Sequence, residues 1–469
     1  MKCMYQLAID VGTTQIKFDL FYHSELVKSK KIPVITYYEN DGKIYQHPNE
    51  IIEKVQEGIL FFTRTQKNIE SILLSTAMHS VMPIFDNQES EEMYIWLDQR
   101  ASKWVKKFKQ DKEKAHEFYV KTGTPIHEMS PFAKIGYFGR ETWFSSVSKW
   151  FGIKEWLMVY LTKREVIDYS VASATGLFNS DTKSWDEEIL SYLSITTDQL
   201  AKPVDTDWKT QIDVKVAEKL GLSTNTQVFI GASDGCLASL ASYAANGTTN
   251  SLTIGTSGAV RKLSKNRQLD NKGQSFCYYL SKEYWVIGGA TNNGGKVLEW
   301  AGDMFYEKSS IYEQLDDILE KSPIGSRGVS FLPYISGERA PLWTSEVTGE
   351  FLGLRLGHTK EDMLRSVIEG ILLNAKWISN IIELDDRSIS LSGGFFSNQS
   401  LVELTADVMG RKCFISPYAE PSFGLIALTS QGNTLRNTDI HPIFYNQENN
   451  KSYETYYQKF IENVKNEQL

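Results

Sequence analysis

The sequence predicts an α/β protein made of two related halves. Three observations carry that prediction. The chain has 469 residues, more than one hydrophobic core usually covers. A short apolar run, a turn of glycine and hydroxyl residues and a further strand-like segment open the chain and recur from Asn250 onward. Each opening is followed by a stretch with helical character.

In order, Tyr5 to Asp10 reads as a strand, Gly12-Thr13-Thr14 as a turn, and Gln15 to Tyr22 as a half-buried strand of alternating polarity. Leu26 to Thr36 suits a third strand. Asn49 to Gln66 places Ile51, Ile52, Val55, Ile59 and Phe62 at helical spacing, and Ser71 to Ala77 returns to strand. The expected order is strand, strand, strand, helix, strand. Later, Asn250 to Ile254, the turn Gly255-Thr256-Ser257-Gly258, and Ala259 to Leu263 repeat the hairpin. Trp285 to Ile287 suits a third strand and Gly295 to Trp300 starts a helix. The repeat is topological, not a duplication of sequence. The boundary falls near Ala245 to Thr249, giving domains 1–246 and 247–469. No Pro/Ser-rich linker separates them, so a packed, hinged pair is expected.

Composition bounds the function. Hydrophobic residues make up 41% and aromatics 12%, enough for large cores. The formal charge of -8 is spread without blocks, which argues against nucleic acid as a partner. The stretch Lys103 to Lys114 is interrupted by Trp104, Val105, Phe108, Asp111 and Glu113 and reads as the solvated face of a helix. The four cysteines, Cys3, Cys236, Cys277 and Cys413, form no CxxC pair and suit free thiols in a reducing compartment. The seven histidines show no HxxxH or HExxH spacing, so no protein-built zinc site is expected. No stretch reaches the roughly 18 apolar residues of a membrane span. A cytoplasmic enzyme is the expectation.

Three motifs carry chemistry. Asp10 ends a strand, where a carboxylate suits Mg²⁺. Gly12 admits a phosphate close to the backbone, Thr13 and Thr14 offer donors, and Lys17 adds a charge. An ordinary polar hairpin is the alternative, but the matching turn at Gly255-Thr256-Ser257 favours two hairpins gripping one nucleotide. Val228 to Ala232 runs into Ser233-Asp234-Gly235, presenting one carboxylate. Asp234 suits either a base that takes a hydroxyl proton or the cap of a following helix. Leu391-Ser392-Gly393-Gly394, leading to Asn398, suits either a nucleotide's adenosine end or a packing turn. Met78-His79-Ser80 follows a strand. Trp96, Asp98 and Arg100 alternate and would share a face if extended. Glu338 to Trp343 reads equally as an ion-paired loop, and Lys149 to Leu161 as a core helix.

Taken together, these segments resemble the FGGY family of carbohydrate kinases, from Asp10 to about Gly424. The resemblance implies two ribonuclease-H-like domains of the actin/hexokinase type flanking a catalytic cleft. The first would bind sugar and carry the base, and the second would bind nucleotide. Asp10 to Thr14 looks like the family's first phosphate motif, Gly255-Thr256-Ser257 its second, and Ser392-Gly393-Gly394 with Asn398 its adenosine motif. Asp234 falls on the catalytic base, Gly295 on a nucleotide contact, with Glu299 a weaker correspondence. Met78, His79 and Trp96 fall on sugar-pocket positions, and Arg339 and Trp343 in a typical stretch. Ala77-Met78-His79-Ser80, Met129-Ser130-Pro131, Asp168 to Leu177 and Gly231 to Gly235 are most similar to the family's bacterial gluconate kinases. The run from Leu425 to Ser430 departs from the family by being more apolar than its small-residue pattern.

The resemblance implies ATP and Mg²⁺ as cofactors and a sugar or sugar acid as substrate. It suggests a homodimer, since related kinases often form dimers. Transfer from ATP to the 6-hydroxyl of D-gluconate is the leading expectation. Xylulose or another sugar is the alternative, and an actin-like nucleotide switch the alternative of another class. His79, Arg100, His127 and Lys134 are candidate cations for a substrate carboxylate, with Met129 beside them.

Overall fold

The computed structural model describes residues 5–66, 68–86, 91–306, 310–385, 388–430 and 441–468. The chain divides into two compact units. One comprises Met1–Ala244, Lys265–Val286 and Tyr418–Arg436. The other comprises Ala245–Ser264, Ile287–Pro417 and Asn437–Leu469.

The first unit is built on a six-stranded sheet. Its strands are β1 (Tyr5–Val11), β2 (Gln15–Tyr22), β3 (Glu25–Pro33), β4 (Ile69–Thr76), β5 (Lys209–Gln211) and β6 (Gln227–Ser233), in the order β5-β6-β4-β1-β2-β3. β1 and β2 form an antiparallel hairpin, while β4 lies parallel to both β1 and β6. The register sets Asp10 opposite Lys17 on β2 and Ser75 on β4. One point of the sheet thereby gathers a carboxylate, a cation and a hydroxyl. α1 (Pro48–Thr63) opens with Pro48, whose fixed φ and missing N–H suit a first turn. Its Ile51, Val55, Ile59 and Phe62 are buried, each contributing about 1.5–3 kcal/mol by leaving water. Gly58 faces the Phe18 ring of β2, where a Cβ would collide with the ring.

The hairpin, α1 and β4 form where expected, with four departures. Two short strands, Tyr37–Tyr38 and Ile44–Gln46, intervene before α1 because the chain pairs back on itself antiparallel. The lysine-rich stretch is two helices, α2 (Ser102–Phe108) and α3 (Lys112–Thr122). They separate because Asp111 caps α3, its side chain accepting from the Lys114 N–H, while Val105 and Phe108 turn into the core. After α4 (Pro131–Phe138), the expected helix from Lys149 begins instead as a strand, Val147–Phe151. Gly152 ends that strand and α5 (Ile153–Thr162) follows. A strand at Phe276–Tyr279 was not anticipated.

α6 (Tyr169–Ser173) and α7 (Asp234–Asn246) complete the part of the first unit used below. In the second unit β7 (Asn250–Ile254) and β8 (Gly258–Ser264) repeat the antiparallel hairpin. With β9 (Trp285–Thr291), β10 (Ser388–Ser392) and β11 (Lys412–Ile415) they run in the order β9-β8-β7-β10-β11. This matches β3-β2-β1-β4-β6 strand for strand, so the predicted repeat is a repeat of fold. α8 (Gly295–Phe305), α9 (Lys360–Ile381), α10 (Gln399–Met409), α11 (Pro421–Thr429) and α12 (Gln447–Gln468) follow. The apolar run after Gly424 lies in α11, with Leu425 and Ile426 fully buried.

Among the described residues Cys236, Cys277 and Cys413 are buried thiols outside any disulfide, and Cys3 lies outside the described residues. No helix among the described residues is long and apolar enough to cross a membrane.

Candidate active site

The first unit supplies two carboxylates. Asp10 sits near the end of β1, where its Oδ1 accepts from Ser75 Oγ at 2.6 Å. Burial and then the charge of Asp234 push its pKa up to about 7, against the pull of Ser75 and Lys17. A divalent cation beside Asp10 would offset this crowding of negative charge. Mg²⁺ typically takes one or two protein carboxylates and completes its shell with phosphates and water. The described residues contain no cluster of three or more His, Cys, Asp or Glu that would hold a metal unaided. A lone carboxylate such as Asp10 fits an ion whose other ligands are phosphates and water.

Asp234 follows β6 and begins α7, where its Oδ1 accepts from the Gly235 N–H at 2.7 Å. It is thus a helix-start residue whichever chemistry it performs. Gly12 in the β1–β2 turn donates its N–H to Gln15 O at 3.1 Å. The Thr13 carbonyl accepts from Gln46 Nε2 at 2.7 Å and that of Thr14 from the Val34 N–H at 2.9 Å. The turn is therefore braced through its carbonyls, and Thr14 is exposed. Lys17 is nearly buried and pairs with Asp19 at 3.2 Å and with Glu420, so a phosphate would share it with two carboxylates.

His79 is buried with a positive φ of 68°, and its Nδ1 lies 2.9 Å from Ala174 O. A carbonyl only accepts, so Nδ1 carries a proton and donates to it. This contact ties the Asp168 to Leu177 segment to Met78-His79. Met78 lines a cavity of about 10 Å³ with Gly12, Thr13, Gln46 and Ser80, so the Asp10–Thr14 and Met78–Ser80 segments border one space. Met129 is buried. Its N–H donates to His127 Nδ1 at 3.2 Å and its carbonyl accepts from Lys134 Nζ.

The candidate cations all have protein partners. Lys134 is buried, and burial pushes its pKa down to about 7. It faces the Glu128 and Met129 carbonyls, bracing the Met129 loop. His127 Nε2 lies 3.4 Å from Glu128. The Trp96–Arg100 segment is a turn, not an extended strand, so its alternating residues do not share a face. Trp96 is half-buried, and Arg100 folds back on Asp98 through Nε at 3.1 Å and Nη2 at 2.7 Å. Arg100 lines a different feature from Met78, an open cleft of about 960 Å³ with Lys103, Trp104, Tyr137 and Arg140.

The second unit supplies backbone. The Gly255 carbonyl accepts from the Gly295 N–H at 2.7 Å, and that of Thr256 from the Lys296 N–H at 3.3 Å. A Cβ at Gly295 would stand 2.8 Å from Gly255 O, and one at Gly294 2.7 Å from Ser257 O. Only glycine lets the start of α8 lie against the β7–β8 turn. Gly393 has a φ of 99° and its Cβ would strike Ile254 O, so the β10 turn also requires glycine. Beside Gly255 and Gly394 the space where a Cβ would stand is open within 4 Å. Asn398 caps α10, its Oδ1 accepting from the Ser400 N–H at 2.9 Å. Glu299 is exposed on α8, Trp343 is buried, and Arg339 Nη2 donates to Thr291 O at 3.0 Å.

These two assemblies, a carboxylate pair and a glycine-built backbone cradle, are the parts of a phosphotransferase. Residues 5–241 match the N-terminal domain of the FGGY family of carbohydrate kinases, and residues 250–429 match its C-terminal domain. The chain belongs to the FGGY family of carbohydrate kinases. It is therefore a phosphotransferase with an alcohol acceptor, using ATP and Mg²⁺, on the two-domain actin/hexokinase-type fold. It is 36% identical over 438 residues to the gluconokinase of Bacillus subtilis (strain 168), covering 89% of this chain and 85% of the relative. It is 26% identical to a xylulose kinase of Staphylococcus epidermidis, covering 96% and 94%. Among solved structures, a gluconate kinase from Lactobacillus acidophilus superposes with a TM-score of 0.91 at 30% identity, covering 99% and 98%. A ligand-bound xylulose kinase from the same organism gives 0.92 at 30%, covering 98% of each chain.

Sequence reasoning missed the supports of this site. Ser75, which holds Asp10, gave only the signal of a hydroxyl inside an apolar strand. Lys154, which reaches carbonyls of β4 and β6, lay in a segment read only as a core helix. Glu338 was read as one end of an ion-paired loop. It is buried and accepts from Thr291 Oγ1 at 2.6 Å, the Asn292 N–H at 3.0 Å and Asn374 Nδ2 at 3.0 Å.

Proposed function

We propose that this kinase phosphorylates D-gluconate at its 6-hydroxyl. The choice of gluconate rests on one observation, the greater identity to gluconokinase over nearly the whole chain. The division of labour proposed is sugar and base in residues 1–246 and nucleotide in residues 247–469.

In this reading Asp234 takes the proton of the 6-hydroxyl as its oxygen bonds to the γ-phosphorus. The bond from that phosphorus to the ADP oxygen breaks, and ADP leaves. Asp10 holds Mg²⁺, which supplies positive charge to the phosphates. Thr13, Thr14 and Thr256 donate to the phosphates, and Lys17 contributes the charge its two carboxylates leave. Gly12, Gly255 and Gly295 permit close approach, with Gly393, Gly394 and the Asn398-capped helix at the adenosine end. Met78, His79, Trp96 and Met129 surround the acceptor, while Arg100, folded onto Asp98, lines a separate cleft. A cytoplasmic homodimer completes the proposal.

The xylulose reading is kept by the equal 30% identity to two solved kinases of different substrate. ADP release with Mg-ATP, measured against D-gluconate, D-xylulose, L-ribulose, glycerol and no sugar, separates the two. A rise confined to gluconate is expected, and a rise with D-xylulose instead would replace the substrate. Asp234→Ala should lower turnover roughly 10³-fold while ATP still binds. Retained turnover would remove Asp234 from its role.

A further inference from the structure

A buried lysine sits directly behind the carboxylates. Lys154 and Asp168 are both 0% exposed, with Nζ 3.1 Å from Oδ2. Lys154 Nζ also reaches Ile230 O at 2.6 Å, Leu74 O at 3.3 Å and Ala232 O at 3.3 Å. Those carbonyls flank a slip in the β4–β6 register between Phe229 and Ala232. Gly231, at a φ of 66°, makes that slip possible. Bulges of this kind bend a strand and re-aim the residues beyond it. Here those residues are Ser233 and Asp234.

The pair has a second arm. Asp168 Oδ1 accepts from the Val171 N–H at 2.9 Å and caps α6. Ser170 in that helix sets its Oγ 2.9 Å from Ser233 Oγ and accepts from the Ser233 N–H at 3.2 Å. An unbroken chain of contacts thus runs from Lys154 through Asp168 and Ser170 to the residue before Asp234. On β4, Leu74 precedes Ser75, which holds Asp10.

Stability alone does not explain this arrangement. A fully buried ion pair often does no better than apolar residues of the same volume. Lys154 also lies in the first turn of α5, the end of a helix that disfavours a cation. Burial holds its pKa below the usual lysine range.

We infer that Lys154 is a positioning residue for Asp234, plugging the strand slip and, through Asp168 and Ser170, fixing the angle at which the carboxylate meets the acceptor hydroxyl. The inference rests on Asp234 as the base.

The test compares Lys154→Met, Ser170→Ala and Asp234→Ala in the full chain with Mg-ATP and the best acceptor from the sugar panel. Lys154→Met should lose about 100-fold in kcat, the effect of an ångström-scale misplacement, while KM for ATP stays within about twofold. The number of sugar phosphates formed per ATP consumed should fall below one, because a misaligned acceptor yields to water. A smaller folded fraction would leave that ratio at one. Ser170→Ala keeps the buried charges and should lose roughly tenfold with the same fall in ratio. Full kcat and a ratio of one in Lys154→Met overturn the inference. If that variant does not fold, the same result in Ser170→Ala overturns it. Full turnover in Asp234→Ala would instead remove the base assignment itself, whatever the other variants show.

Discussion

Carboxyl groups in the first unit are held against ionisation by their surroundings, and Glu155 shows the consequence most simply. It lies buried in the first turn of α5, where its Oε2 accepts from the Gly152 N–H at 3.0 Å. Burial pushes its pKa up to about 7 from an ordinary value of 4.5. Because the folded value is raised, the native state binds more protons than the unfolded chain between these two values. Its contribution to stability is complete below about 4.5 and lost as pH rises through about 7. Glu155→Gln keeps an acceptor for Gly152 without a charge. Relative to the parent, this variant should gain stability as pH rises from about 4.5 to 7, by on the order of 3 kcal/mol, and no more above that. Thermal unfolding of both proteins across that range checks it, and a difference independent of pH would sink it.

At the scale of elements, the glycine turns proposed to cradle the nucleotide are shaped from behind. Glu338 Oε2 accepts from Thr291, Asn293 and Asn374, and its Oε1 from the N–H groups of Asn292 and Arg339. These donors include the last residue of β9 and the turn into Gly294 and α8. An all-acceptor side chain therefore holds the turn that packs on Gly255. Glu338→Gln sets an NH₂ against groups that are themselves donors. It should cost about 3 kcal/mol, since a buried donor left unpaired loses its solvation as well as its bond. ATP affinity should fall with it. Unfolding and ATP titration of the variant measure both, and an unchanged affinity would separate Glu338 from the cradle.

At the scale of the whole molecule, the two units repeat one strand order with different contents. The first carries carboxylates and polar side chains at its strand ends, and the second carries glycines. The proposed division of labour follows, and hydrogen exchange tests it. ATP should protect the amides of Gly255–Ser257 and Gly393–Gly394, while D-gluconate alone should protect those around Met78, His79 and Met129. Ligands stabilise the segments they bind, by about 2.7 kcal/mol at a hundred times the dissociation constant. Protection by ATP confined to the Met78 and Met129 segments would reverse the assignment.

What the sequence determined by itself was the local grammar. Apolar strands ending in Asp10-Val11-Gly12 and Ile254-Gly255, and helical spacing through α1, are short-range patterns that a few residues suffice to specify. The repeated hairpin and the motif order were legible for the same reason, and with them the family. Tertiary structure decided which polar groups are spent inside the protein. In the sequence Lys134 is a candidate cation for a substrate and Lys154 one residue of an expected core helix, yet each is buried against backbone carbonyls from neighbouring segments. Arg100 looks like a substrate cation, and a turn folds it onto Asp98. The lysine-rich stretch looks like one helix, and Asp111 divides it. A buried charge is specified by the partners that surround it, and Leu74 and Ile230 lie 80 and 76 residues from Lys154. No window of sequence contains that distance, so only the folded sheet, with its slipped register at Gly231, brings the lysine to the place where it acts.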